Sequence, residues 1–316
     1  MSFHLSDEAL SHLVQRAAPG GQFLRTWPLA GGISAQMTAL EIEDAGGRKR
    51  KMILRQPGEE ALRRDPQAAA REYRLLQLLR AHGLPTPAPL YFDPSGQIFP
   101  GPCLLIEYVD GDMNFQTRDQ EGYAVQMADA LARIHGVGSA ELAFLPEQSK
   151  GLDALLGPRP ASLHPVLDEA KIRGALEEAW PFPQRNPPAL LHGDFWPGNI
   201  LWRDGRLAAV IDWEDACVGD PLSDLTISRL DLLCIFGRKA MDAFTRRYRS
   251  RMKLDFSCLA FWDLSAALRL IRLAGSDLDG WAAFFIPYGR SDITAQTIRD
   301  HLAWFTHQAF ERLAIP

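Results

Sequence analysis

The feature that most constrains this chain is the run Leu191-His192-Gly193-Asp194-Phe195-Trp196-Pro197-Gly198-Asn199, followed by an apolar stretch that ends on Asp212. Between them lie two short apolar runs, Asn199-Ile200-Leu201-Trp202 and Leu207-Ala208-Ala209-Val210-Ile211, separated by Arg203-Asp204-Gly205-Arg206. Asp-Gly between apolar runs is a strong hairpin signal, because both turn positions tolerate positive φ. The pattern therefore predicts a β-hairpin with Asn199 at its entrance and Asp212 at its exit, which brings both side chains to the same end.

Asp194 and Asn199 stand five positions apart, the interval at which a kinase catalytic loop sets its base and its magnesium-holding amide. Phosphoryl transfer asks for a carboxylate to accept a hydroxyl proton and for oxygen ligands to hold magnesium on the phosphates. Together with Ile211-Asp212-Trp213-Glu214 and Asp220-Pro221-Leu222-Ser223-Asp224-Leu225, the run resembles the aminoglycoside phosphotransferase and choline kinase superfamily. These are small-molecule kinases with a protein-kinase-like fold. The resemblance implies an α+β, two-lobed fold of that kind. Residues 1–109 would form a nucleotide-binding N-lobe of antiparallel sheet plus helix. Residues 110–316 would form a mostly helical C-lobe with the catalytic β-hairpin and the acceptor-binding helices. It also implies ATP, with GTP left open, magnesium (Mg2+), and a small-molecule hydroxyl group as acceptor. Asp194 is then the catalytic base, and Asn199 and Asp212 are the metal ligands.

A chain of 316 residues, 47% hydrophobic and 23% charged, has the composition of an ordinary folded protein with enough apolar content for two cores. No stretch reaches about 18 apolar residues, so no membrane partner is expected. The first residues lack a basic flank and an apolar signal core, which points to the cytoplasm. A net charge of −5 gives no reason to expect nucleic acid. Cys103, Cys217, Cys234 and Cys258 are widely spaced without a Cys-x-x-Cys pair, which suits reduced core cysteines better than zinc. Oligomeric state is not legible.

In the first half, Ser6 to Ala17 reads as a capped helix. Strands follow at Met37 to Ile42 and Lys51 to Arg55, after the turn Ala30-Gly31-Gly32-Ile33-Ser34. Backbone amides of such a Gly-Gly-x-Ser turn can approach phosphates, which makes Gly32 and Ser34 candidate nucleotide contacts. Arg55 closes Ile53-Leu54-Arg55 where the kinase pattern has Lys, and its planar fork can bridge a carboxylate and phosphate oxygens. The expected partner is Glu72, on a helix framed by Asp65 at the N-cap, Pro66 at the first position and Gly83 after the end. Cys103 to Val109 is a buried strand. The resemblance implies that backbone groups of Glu107 and Val109 meet adenine, with Ile53 in the same nucleotide-binding set.

In the second half, Gln120 to Ile134 reads as a helix after which His135 caps or packs. His192 is expected to brace the loop of Asp194, and Asp224 to cap and brace from the helix that follows. Only seven residues separate Asp212 from Asp220, which leaves no room for a peptide-docking activation loop and favours a small-molecule acceptor. Residues 229–316 read as all-helical, with 13 Arg and Lys against nine Asp and Glu. That balance disfavours a polycationic acceptor and suits a neutral, hydrophobic or acidic hydroxyl compound. Two rivals remain at this level: a nucleotide-binding regulator without turnover, suggested by Arg55 and the incomplete Gly loop, and a transferase of another group.

Overall fold

The computed structural model describes residues 6–29, 35–148, 155–181, 184–275 and 277–313. Contacts divide the chain into two units, Met1–Asp110 with Ala208–Glu214, and Gly111–Leu207 with Asp215–Pro316.

The first unit is built on strands β1 (Gln22–Pro28), β2 (Ala35–Glu43), β3 (Lys49–Pro57), β4 (Pro89–Asp93) and β5 (Cys103–Glu107). They form an antiparallel sheet in the order β1-β2-β3-β5-β4. Side chains alternate across a strand, so Leu40, Ile42, Met52, Leu54, Cys103 and Leu105 share one face. They form a single core with Leu10, Leu13 and Val14 of helix α1 (Asp7–Ala17). Ser6 starts that helix by accepting a hydrogen bond from Ala9 N at 3.2 Å. The opposite face carries Ile53 and Arg55, paired across β2 with Ala39 and Met37 and across β5 with Ile106 and Leu104.

A short helix α2 (Glu59–Arg64) follows the sheet's third strand, then α3 (Ala68–Ala81), which contacts β4 and β5 and buries Glu72, Leu75, Leu76 and Leu79. The start of α3 differs from the expected one. Asp65 does not cap it. Its Oδ1 accepts from Gln67 N at 3.0 Å and its carboxylate pairs with Arg71, so Asp65-Pro66-Gln67 is a turn ahead of the helix.

In the second unit, α4 (Gln120–His135), α5 (Glu169–Ala179), α6 (Leu222–Phe236), α7 (Arg238–Arg251), α8 (Leu259–Ala274), α9 (Leu278–Ala283) and α10 (Ala295–Leu313) supply most of the structure. Helix α6 is apolar nearly all round because α7, α8 and α10 all pack on it. Two strands, β6 (Ala189–Leu191) and β9 (Cys217–Gly219), pair antiparallel and frame the loop of Asp194. Between them β7 (Ile200–Arg203) and β8 (Arg206–Val210) form a two-stranded hairpin. Its turn residues Asp204 and Gly205 have φ of 52° and 73°, as the Asp-Gly signal requires. Among the described residues no helix is long and apolar enough to cross a membrane.

Candidate active site

In the second unit, β6 delivers the chain into His192-Gly193-Asp194, and a buried carboxylate fixes the loop there. Asp224, fully buried on the first turn of α6, accepts from His192 N at 2.6 Å (Oδ2) and from Gly193 N at 3.0 Å (Oδ1). His135 Nε2 lies 3.3 Å from Asp224 Oδ2, while its Nδ1 lies 2.5 Å from the Tyr248 hydroxyl. Burial pushes the Asp224 carboxyl up, but the hydrogen bonds and charge from His135 and the loop amides hold it below the usual carboxylate range. Ser228, one turn on, places its hydroxyl 2.5 Å from Phe195 O and 2.9 Å from Asp224 O. Asp224 therefore braces, as expected, but it is not the cap: the helix starts after Pro221 without a side-chain cap, and the preceding Asp220 accepts from Leu222 N at 2.9 Å through Oδ1. His192 also braces, with Nδ1 3.3 Å from Asp194 N.

The loop holds Asp194 and Asn199 together. Pro197–Asn199 makes a turn of 3-10 helix, and Asn199 Nδ2 donates to Asp194 O at 2.9 Å and to Asp194 Oδ2 at 3.1 Å. Because the amide nitrogen is spent on Asp194, the carbonyl oxygen Oδ1 of Asn199 is the atom left to meet a cation. Arg269, from α8, donates from Nη2 to Asp194 Oδ1 at 2.7 Å. No local sequence pattern signals that Arg269, one of the 13 Arg and Lys of residues 229–316, reaches the loop carboxylate.

In the first unit, Arg55 is buried and sits among carboxylates. Its Nε donates to Glu72 Oε2 at 2.9 Å, the contact expected from the sequence, and its Nη2 donates to Glu214 Oε2 at 2.6 Å. Asp212 Oδ1 is 3.6 Å from the same Nη2. Burial works against the Arg55 charge, and Glu72, Asp212 and Glu214 outweigh it, raising its pKa above the ordinary guanidinium value. In the sequence Glu214 is marked only by its place two residues after Asp212, and nothing there predicts its bond to Arg55. Asp212 leaves the strand end in the left-handed region, with φ of 64°. Ile53 shares the face of Arg55, two residues back along the strand. Glu107 ends β5, and its N–H donates to Ala88 O at 2.8 Å, while Val109 lies just beyond the strand. Gly32 and Ser34 lie outside the described residues.

Among the described residues no cluster of three or more His, Cys, Asp and Glu is placed to hold a metal. The donors that magnesium prefers are hard oxygens in small number, completed by phosphates and water. The carboxylate of Asp212 and the oriented amide oxygen of Asn199 are of that kind.

The family described as phosphotransferase enzyme family matches residues 26–262 of the chain. Over 201 residues the chain is 25% identical to acyl-CoA dehydrogenase family member 10 of Mus musculus, covering 57% of this chain and 18% of that protein. Over 217 residues it is 26% identical to homoserine kinase of Rhodospirillum rubrum, covering 62% of this chain and 65% of that protein. The chain thus spans less than two thirds of the length of these curated relatives. Among solved structures, a spectinomycin phosphotransferase in complex with ADP and spectinomycin matches with a TM-score of 0.63 at 12% identity, covering 97% of this chain and 98% of that one. At that identity the likeness is one of fold, the protein-kinase-like fold of aminoglycoside phosphotransferases.

Proposed function

Because this chain belongs to the phosphotransferase enzyme family, we propose that it is a small-molecule kinase that transfers the γ-phosphoryl group of ATP to a hydroxyl group. The observation that carries this reading is the braced loop in which Asn199 steadies Asp194 and Asp224 holds the two preceding amides. Relatives that act as a homoserine kinase and a spectinomycin phosphotransferase support a small hydroxyl acceptor. So does the chain's return into a strand within a few residues of Asp212, at Cys217–Gly219.

In the proposed step Asp194 takes the proton of the acceptor hydroxyl. The acceptor oxygen bonds to the γ-phosphorus, the bond from that phosphorus to the bridging oxygen breaks, and ADP leaves. Magnesium, held by Asn199 and Asp212, would supply charge neutralisation on the phosphates. Arg55, kept protonated and tethered by Glu72 and Glu214, neutralises phosphate charge where the protein-kinase pattern uses Lys. Adenine is assigned to backbone groups of Glu107 and Val109. The Glu107 N–H already serves Ala88 O, so the Glu107 carbonyl is its better candidate. Ile53 would flank the nucleotide, and Gly32 and Ser34 would approach its phosphates.

Asp194→Ala should lower magnesium-dependent phosphoryl transfer at least about 100-fold, on the scale of single catalytic groups, while nucleotide still binds. ADP release across alcohols, sugars and antibiotics, with product mass showing added phosphate rather than AMP, is the measurement. An Asp194→Ala enzyme of undiminished activity would remove the assignment.

A further inference from the structure

The contact between Arg269 and Asp194 carries information about the acceptor. A base must offer a carboxylate oxygen to the incoming hydroxyl, and each oxygen of Asp194 already accepts one hydrogen bond, Oδ2 from Asn199 and Oδ1 from the cation Arg269, which lowers its basicity. Asn199 belongs to the loop itself. Arg269 comes from α8, 75 residues away in sequence, and is an outside cation placed on the base.

The more deeply buried arginines of this unit are consumed by structure. Arg229 grips Asp263 with two nitrogens and also donates to Thr245. Arg173 is tied to Glu169 and to Leu156 O. Arg290 holds the carbonyls of Phe115 and Ile235 and the carboxylate of Asp292. Among the described residues, Arg269 makes one hydrogen bond, with one of five N–H donors, and about a third of its side chain (35%) is accessible. A guanidinium has the fork geometry to hold a carboxylate by two N–H groups, so most of its capacity is unspent.

Asp231 is near enough for Arg269 and Asp194 both to act on its charge. It lies seven positions after Asp224 and three after Ser228, on the stripe of α6 that faces the loop. A second full carboxylate there would quench Arg269. With its carboxyl pushed up to about 7, Asp231 is partly neutral at physiological pH and does so only in part.

We propose that Arg269 is the acceptor-binding residue that takes a carboxylate of a hydroxy acid, and that this carboxylate displaces Asp194 from the guanidinium. The exchange is like for like, one carboxylate for another on the same fork, so it costs little in lost pairing. It relieves Asp194 Oδ1 of the cationic hydrogen bond and leaves a stronger base for the hydroxyl proton, so an acid acceptor activates the base as it binds. A neutral alcohol has nothing to exchange, and a polycation meets the Arg269 charge beside the base. This assignment rests on the phosphotransferase reading above and narrows its acceptor class.

The test uses the full-length protein with Mg·ATP and matched probes: short hydroxycarboxylates such as γ-hydroxybutyrate, each beside its primary amide, and a polycationic aminoglycoside. Wild-type protein should release ADP with acids at a kcat/KM at least about tenfold above the amides, the scale of one charge-assisted hydrogen bond. Arg269→Gln should lower the acids by about 10- to 100-fold toward the level of the amides, and Arg269→Lys should restore part of the loss. Circular dichroism and thermal melting of both variants separate a recognition defect from misfolding. Acids no better than amides in the wild type overturn the proposal. So does a variant that lowers acids and amides by one common factor, which would assign Arg269 to the transferred phosphoryl group. Turnover of alcohols or aminoglycoside but not acids removes the acid class and leaves the kinase reading standing. Mg·ATP binding with no turnover of any acid removes it as well. Absence of both Mg·ATP binding and turnover removes both readings.

Discussion

At Asp231, burial pushes the carboxyl up to about 7, with Arg269 opposing and Asp194 adding to the shift. The unfolded chain releases the same proton near the ordinary carboxylate value of about 3.9. The folded state therefore binds the proton more tightly, and the stability this group contributes is complete below about pH 4 and is lost as pH rises through about 7. Asp231→Asn cannot ionise, so it should escape that loss. Each tenfold change in proton affinity is worth about 1.4 kcal/mol, and the side chain is only partly screened from water, so a gain of roughly 1–3 kcal/mol near pH 8 is expected. Urea unfolding of wild type and variant at acid and alkaline pH reads it directly, and parallel pH curves for the two proteins would refute it. The sequence reveals Asp231 only through the phase of α6, as the residue two turns past Asp224. Asp194 and Asn199 were legible because five positions of one loop set their relation. The Arg55–Glu72 bond was legible because strand and helix each carried their own markers. Arg269 was not, since no local pattern ties a helix residue to a carboxylate 75 positions earlier.

The loop that presents Asp194 depends on a backbone shape that few residues permit. Gly193 has φ of 84°, and a Cβ there would lie 2.5 Å from the carbonyl oxygen of Asp215. Both facts forbid a side chain, one by backbone strain and one by collision. Gly193→Ala should cost about 1–3 kcal/mol on the scale of strained backbone positions. It should also pull the adjacent amide from Asp224 and displace Asp194, so kcat should fall at least about tenfold. Thermal melting and steady-state kinetics check the two effects, and a variant with native kcat would show that the loop has slack. Elements with local chemistry were the legible ones: the hairpin of Asp204-Gly205, the Ser6-capped helix, the apolar strand at Cys103. Strand β1 carried no signal because its residues are mostly exposed and lack apolar alternation. The beginning of α3 was misplaced because Asp65 uses its side chain for a turn, which mimics the marks of a cap.

On the scale of the whole molecule, the kinase-like class was legible from one loop, whereas the grouping of Ala208–Glu214 with the first unit was not, because it is set by contacts distant in sequence. The residues proposed to meet nucleotide and magnesium are Arg55 and Asp212 in the first unit and Asn199 in the second. A ligand that binds only the folded chain stabilises it by mass action, about 2.7 kcal/mol at a hundredfold excess over its dissociation constant. For a protein of this size that corresponds to a rise in Tm of roughly 4–8 °C. Mg·ATP should therefore raise Tm by several degrees. Chelation of the metal should remove most of that rise, since the triphosphate charge then faces Asp212 without a neutralising ion. Asp212→Ala complicates the comparison by also changing the surroundings of Arg55, which lies 3.6 Å away. Asn199→Ala leaves the net charge unchanged, and although it also removes the two hydrogen bonds to Asp194, a thermal shift with Mg·ATP reads binding and not the base. Its shift with Mg·ATP should fall to less than about half that of the wild type, on the scale of one lost interaction with a charged group. An Asn199→Ala protein with the full metal-dependent shift would take the magnesium role away from this loop while leaving Asp194 free to act as base.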